Sequence, residues 1–359
     1  MKNKRILVTG ACGTIGSELI AQLVNNPDYS PEEVIGLDNN ESQLFFMEQR
    51  YIDDPRARFY VADIRDRDEL MRKMKGVHVV FHTAALKHVI LSERSPDQVV
   101  QTNIQGVQNV IAASMEHGVE RVIFTSSDKA VNPTNVMGTS KLMGERLITA
   151  ANSHKRGSGP IFASTRFGNV LGSNGSVVPV FRKQIAQGGP VTLTDSEMTR
   201  FVMSVPQAVR LVIDSVALAY GGEVFITKMP VVRIADLATA MIEELSPLYG
   251  FDPEKIEIRI IGAKAGEKLY EELMNQEEIR RAVELRDYFS VLPAFRGVYH
   301  DIAYDYPDIV SEEVTRPYVS AEEAFMPVSE IKEFLRENDL LRDPALPNAI
   351  NSASRMGER

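Results

Sequence analysis

Cysteine is nearly missing from this chain: Cys12 is the one example in 359 residues. An internal disulfide framework is therefore excluded, which is what a reducing cytosol permits. Long apolar runs are missing too, and none approaches the ~20 residues of a membrane span. Met1-Lys2-Asn3-Lys4-Arg5 runs straight into a short strand and leaves no room for the apolar region of a signal peptide. These absences read as a soluble, cytoplasmic protein. Positive charge is in deficit, with 40 Lys and Arg against 49 Asp and Glu and a net charge of -9. That argues against a general nucleic-acid binder, whose affinity comes from neutralising phosphates. A local basic cleft for a phosphorylated ligand stays open. Tyrosine is absent between Tyr60 and Tyr220, so that span offers no phenol to chemistry. What is present is ordinary for a globular protein: 44% hydrophobic and 25% charged residues, long enough for one large or two modest domains.

The first half alternates short apolar strands with amphipathic stretches. Strands are expected at Arg5–Val8, Val34–Leu37, Arg58–Val61, Val77–His82, Arg121–Thr125 and Ile161–Thr165. Helical patterns fall at Ser17–Asn25, Asp66–Met74, Pro96–His117 and Gly138–Ala151. Such alternation marks βαβ units on a parallel sheet. The expected fold is α/β, a Rossmann-type doubly wound parallel sheet over residues 1–170 with a return segment near 201–230. Within that return, a helix is expected at Pro206–Ala219 and a strand at Glu223–Thr227. A smaller α/β substrate lobe is expected from 171–200, with a helix near Val180–Gln187, and from 231–340, with Ile234–Leu245 and Ile256–Ile261 as its clearest elements. The polar stretch 347–359 reads as a disordered tail.

Thr9-Gly10-Ala11-Cys12-Gly13-Thr14-Ile15-Gly16 follows the first strand and opens a helix. Glycine triplets also serve ordinary turns, but here the context of a dinucleotide fingerprint is present. Gly10 permits the tight turn, Gly13 lets backbone approach a pyrophosphate, and Gly16 allows close helix–strand packing. Thr14 and Ile15 open the helix, whose unpaired N–H groups and dipole favour an anion. Asp38, at the end of the second strand, is placed to accept bonds from the two adenine-ribose hydroxyls and to repel a 2′-phosphate. An N-cap or turn role for Asp38 is the simpler alternative. With no Arg or Lys from Asp38 to Gln49, NAD is favoured over NADP. Asp63 and Ile64 are placed to meet the adenine, Ala84 and Ala85 to floor the cofactor, and Asn103 is grouped with them; simple packing would explain the same residues.

The chemistry concentrates after Val122-Ile123-Phe124, at Ser127-Asp128-Lys129 and then at Met137-x-x-x-Lys141 on a helix. This layout resembles the short-chain dehydrogenase/reductase pattern, in which a tyrosine stands four residues before the lysine and removes a hydroxyl proton during hydride transfer. Met137 has a thioether, which exchanges no proton. An acid and a candidate base stand side by side instead. Further motifs are Ala84-Ala85-Leu86-Lys87-His88-Val89, Ser127-Asp128-Lys129-Ala130-Val131-Asn132-Pro133, Thr165-Arg166-Phe167-Gly168-Asn169-Val170, Met198-Thr199-Arg200-Phe201 and Gly266-Glu267-Lys268-Leu269-Tyr270-Glu271. From about Arg5 to Leu273 the chain resembles the nucleotide-sugar 4,6-dehydratases of bacterial polysaccharide biosynthesis that act on UDP-N-acetylglucosamine. It is most similar to the subgroup with methionine in place of tyrosine, in a free-standing form without the membrane part.

That resemblance implies a tightly held, recycled NAD, oxidation of the sugar C4 hydroxyl, loss of water across C5 and C6, and hydride return to C6. It implies Asp128 as acid, Lys129 as C5 base, Ser127 as hydrogen-bond partner of the hydroxyl, and Lys141 beside the nicotinamide ribose. With Met137 inert, Asp128 is expected to accept the C4 proton, directly or through Ser127 or a water, and later to deliver one to the departing C6 oxygen. On the substrate side the resemblance implies Lys87 and Asn169 near the sugar or cofactor ribose, Lys183 and Arg200 at the diphosphate, and Glu267 at the uridine ribose. Ile90 replaces a common proline, and Lys264 an arginine, which loses bidentate geometry toward phosphate. A 4-epimerase needs no acid–base pair at C5 and C6. A 5,6-dehydratase would keep one, and a non-catalytic NAD-binding redox sensor would need neither. The helices at Pro96–His117 and Gly138–Ala151 are expected to pair with a second copy, giving a homodimer or higher oligomer.

Overall fold

The computed structural model describes residues 1–154, 159–173, 175–262, 266–295 and 302–343. Lys264 and the expected tail at 347–359 lie outside the described residues. Six strands carry the first half: β1 Arg5–Thr9, β2 Glu33–Asp38, β3 Ala57–Val61, β4 Val79–His82, β5 Arg121–Thr125 and β6 Ile161–Arg166. They pair in parallel in the order β3-β2-β1-β4-β5-β6. Ile6, Leu7 and Val8 are fully buried, as are Val80 and Phe81. Consecutive apolar residues are what a strand covered on both faces requires. Strand order reverses between β1 and β4, and in open α/β sheets ligands bind outside the carboxyl ends at such a point.

The chain divides into two compact units: Met1–Phe167 with Val205–Lys228 and Glu272–Val319, and Gly168–Ser204 with Met229–Glu271 and the chain from Ser320. In the first unit the sheet grows beyond β6. Val224–Thr227 adds in parallel, then Tyr288–Val291, Ala282–Leu285 and Ile309–Ser311 add antiparallel, making ten strands. This corrects the expected boundary: 272–319 belongs with the sheet and not with the smaller lobe. Its hairpin turns on Arg286-Asp287 without glycine or asparagine, so the usual two-residue turn signal is absent.

The expected helix at Pro96–His117 is also three pieces, with a wide π turn at Val100–Gln105 between Pro96–Val99 and Gly106–Glu116. A helix at Glu41–Arg50, capped by Asn40, was not anticipated. The second unit has its own core, in which Val178, Phe181 and Ile185 of helix Val177–Ala186 meet Leu237 and Met241 of helix Ile234–Leu245 and Leu335 of helix Val328–Glu337. Among the described residues no helix is long and apolar enough to cross a membrane.

Candidate functional site

β1 stops at Thr9 because Gly10 turns the chain with φ +71°, a conformation natural to glycine. A Cβ there would lie 2.8 Å from the Ala84 backbone, and one at Gly16 would lie 2.1 Å from the Gly10 carbonyl oxygen. The turn is thus packed backbone to backbone against itself and against the loop after β4. Helix Thr14–Asn25 starts at Gly13 with no side-chain cap, which leaves first-turn N–H groups for an anion. The Asp38 carboxylate ties β2 to this turn, accepting from the Cys12 N–H at 2.9 Å and the Asn40 N–H at 3.0 Å. Burial, with Asp38 adding to it, pushes the Cys12 thiol up to about 12, so it stays protonated.

These elements border a cavity of 590 Å³ lined by Gly10, Gly13, Asp38, Asp63, Ile64, Ala84, Ala85 and Lys87 among others. Its size and backbone-rich wall fit a dinucleotide. Thr14, Ile15 and Gly16 form the adjoining helical turn and are not among its lining residues. Arg65 also lines the cavity, a cation the sequence reading missed. Its Nε donates to Asp63 at 2.9 Å and its Nη1 to Gln98 at 3.0 Å, and the guanidinium holds the Asp63 carboxyl below the usual range.

Asn103 holds the loop after β4. Buried in the π turn, it accepts from the Leu86 N–H at 2.8 Å and donates to the Leu86 carbonyl and the Ser140 hydroxyl, each at 2.9 Å. Its amide is spent on the loop that carries Ala84 and Ala85.

β4 and β5 are parallel neighbours, so the Ala84–Lys87 loop and the turn at Ser127–Lys129 leave the same edge of the sheet. Asp128 opens a short 3₁₀ turn and is fully buried, its N–H donating to the Phe167 carbonyl at 3.1 Å. Its Oδ1 accepts from the Ser127 hydroxyl at 2.6 Å and from Lys129 Nζ at 3.0 Å, while Oδ2 has no partner among the described residues. Helix Val136–His154 reaches this turn at Gly138, where a Cβ would come within 2.3 Å of the Lys129 carbonyl oxygen. Met137 is buried beside it.

Lys141, one turn on, donates to the Thr125 carbonyl at 2.9 Å and lies 4.9 Å from the Phe124 ring centre. Burial pushes its amine down to about 8, with Glu145 acting the other way. His82 is fully buried, shares a 2.7 Å hydrogen bond with the Thr9 hydroxyl, and is pushed down to about 3 by burial and then by Lys141. It is neutral at physiological pH.

The other expected substrate residues belong to the second unit. Arg200, buried in strand Thr199–Met203, donates through Nη1 to the Thr199 and Leu269 carbonyls and through Nη2 to that of Lys268. Its guanidinium tethers the segment that carries Glu267. Glu267 itself is exposed, Lys183 is exposed on its helix, and Asn169 is half-buried in a two-residue strand.

A family model described as polysaccharide biosynthesis protein matches residues 6–293. An uncharacterised membrane protein of Methanocaldococcus jannaschii is 51% identical over 81% of this chain and 86% of its own length. A UDP-N-acetylglucosamine 4,6-dehydratase (inverting) of Campylobacter jejuni is 38% identical over 83% of this chain and 85% of its own. Among solved structures, Pen from Bacillus thuringiensis superposes with a TM-score of 0.87 at 38% identity, covering 95% of this chain and 99% of that one. A solved dTDP-glucose 4,6-dehydratase of similar fold holds NAD.

Proposed function

Since this chain belongs to the polysaccharide biosynthesis protein family, we propose that it is a cytoplasmic, NAD-dependent nucleotide-sugar 4,6-dehydratase acting on UDP-N-acetylglucosamine. The observation that carries the reading is the Asp128 carboxylate, with one oxygen gripping Ser127 and Lys129 and the other buried without a partner among the described residues. An acid and a base joined by one hydrogen bond are what elimination of water demands. Gly10, Gly13, Asp38, Ala84 and Ala85 would hold the cofactor, and Asp38 disfavours a 2′-phosphate there. Bound in that cradle, NAD supplies the acceptor for hydride from C4 and its donor to C6.

The residues do the proton work. Asp128 takes the C4 hydroxyl proton, a task for which Met137 is unfit. Taking it neutralises the carboxylate, and the Lys129 ammonium releases its own proton to solvent to give the amine needed at C5. Lys129 then removes the C5 proton, acidified by the adjacent ketone, and Asp128 passes its proton to the C6 oxygen, which leaves as water. A proton returned to C5 closes the balance. Exposed Val100 and Met143 on the helices expected at a dimer contact support a second copy of the chain.

The test is incubation of the purified protein with UDP-N-acetylglucosamine in deuterated water without added NAD, followed by mass and proton NMR. Loss of one water with deuterium gained at C5 is the expected result, and it identifies a carried, recycled cofactor. No loss of water even after NAD is added defeats the substrate assignment. An epimer in its place moves the reading to a 4-epimerase, and silence toward a panel of UDP-sugars to a redox sensor.

A further inference from the structure

In the second unit the hydrophobic core runs out to an open sheet edge. Strand Val191–Leu193 pairs in parallel with strand Ile258–Ile260, in the register Val191 with Ile258, Thr192 with Arg259 and Leu193 with Ile260. Register partners on neighbouring strands point to the same face of a sheet. Val191 and Leu193 are buried in the core of the unit together with Ile256, so Ile258 and Ile260 lie on the core side as well. Yet Ile258 is 37% exposed and Ile260 53% exposed. Among the described residues no third strand joins this pair.

The open edge also carries unspent backbone groups. The Val191 N–H donates to the Glu257 carbonyl and the Ile261 N–H to the Leu193 carbonyl, so residues 257 and 261 turn their backbone toward Val191–Leu193. Alternation along the strand then turns the N–H and C=O of Ile258 and Ile260 outward. An apolar edge strand of this kind is a template for another strand.

Charge says which strand fits. Glu257 and Arg259 lie on the opposite face from the isoleucines, mostly exposed, and bond each other at 2.9 Å. Antiparallel pairing about a two-fold axis at Ile258 sets Ile258 against itself, Ile256 against Ile260, and Glu257 against Arg259 of a second copy. The Ile258 pair is then hydrogen-bonded, and the Glu257–Arg259 pairs are the non-hydrogen-bonded kind, in which side chains come closest. An axis at Arg259 would set arginine against arginine, and one at Ile260 would set Arg259 against Ile261. We propose that strand Ile258–Ile260 is a docking edge for a second copy of this chain, paired about Ile258. Isoleucines extend the core on one face of the joint, and two Glu257–Arg259 pairs lock its register on the other. Such a patch is complementary to itself, as a two-fold interface requires. The contact uses none of the helix residues named above for a second copy, which belong to the first unit.

The experiment is sedimentation velocity on the full chain over a concentration series at low salt. The parent is expected to associate. Glu257→Arg alone or Arg259→Glu alone sets like charges opposite each other on both sides of the axis. Each is expected to weaken association roughly tenfold or more and to leave a smaller assembly. The double variant Glu257→Arg/Arg259→Glu is expected to recover the mass of the parent. So is an equimolar mixture of the two single variants, in which every arginine again faces a glutamate. Unfolded chains could not recover on mixing, so the mixture reports on folding too. One mass for every sample overturns the proposal, and is what an assembly built on the helices alone would give. Loss in the single variants with no recovery in the double variant or the mixture overturns it, as does a parent that stays monomeric throughout. The readout needs neither cofactor nor sugar, so its failure leaves the proposed function standing.

Discussion

At the cavity beside Gly10 the chain presents backbone, and at the turn after β5 it presents side chains gathered on the buried Asp128. Gly10 and Gly16 work by what they lack, since a single added carbon would meet main-chain atoms at 2.8 and 2.1 Å. Ser127, Asp128 and Lys129 work by what they carry, a hydroxyl, a carboxylate and an amine joined through one oxygen atom. The two regions share an edge of one sheet and obey opposite rules. Under the proposed function the cradle tolerates no new atom, and the turn tolerates no lost proton carrier.

The largest expected effect comes from breaking the turn while sparing the cradle. Asp128→Asn keeps the shape and the hydrogen bond to Ser127 but removes the carboxylate. Turnover should fall about 10²–10⁴-fold, the usual worth of a positioned acid–base group, with NAD affinity within about twofold of the parent. Single-turnover absorbance of the reduced nicotinamide isolates the first step. A normal rate of C4 oxidation in Asp128→Asn would show that one carboxylate does not serve both steps.

Breaking the cradle while sparing the turn reverses the pattern. In Gly16→Ala the new methyl meets the Gly10 carbonyl oxygen, and two backbone segments must part to admit it. Overpacking of this kind costs about 1–3 kcal/mol, so NAD affinity should drop roughly 10- to 100-fold by calorimetry. Saturating NAD should restore most of the turnover. If turnover stays low at saturation, the cradle and the turn are mechanically coupled and the contrast between them fails.

How much of this was legible follows the same division. The six-strand frame and the glycine turn could be read because period, spacing and the strand-to-helix context are local properties of the sequence. The place of Asp38 at the end of β2 could be read for the same reason. Nothing local says that a π turn aims the Asn103 amide at Leu86. A lone arginine in a motif likewise does not reveal the carbonyls of Leu269 and Lys268 that Arg200 holds. The strands from Ala282 to Ser311 escaped because they are short and the first pair turns on two residues with no glycine. Buried Arg166 donates to Glu145 and Glu278, a set that no spacing rule connects.

The smallest expected effect is the sharpest check on the contrast. Met137 stands where the resembling pattern has its proton-accepting tyrosine, so a substitution there distinguishes inherited position from present use. The side chain is buried, and its carbonyl, not its sulfur, takes the Ser140 hydroxyl at 2.7 Å. Leucine has nearly the same volume and no sulfur, and such swaps usually cost less than about 1.5 kcal/mol in stability. Met137→Leu should therefore turn over within about threefold of the parent, with unchanged NAD affinity, because the proposed mechanism has Asp128 carry the proton. A loss beyond tenfold in steady-state kinetics, with the melting temperature intact, would mean that the thioether shapes the reacting geometry. Position 137 would then belong to the chemistry of the turn after all, by contact and not by proton transfer.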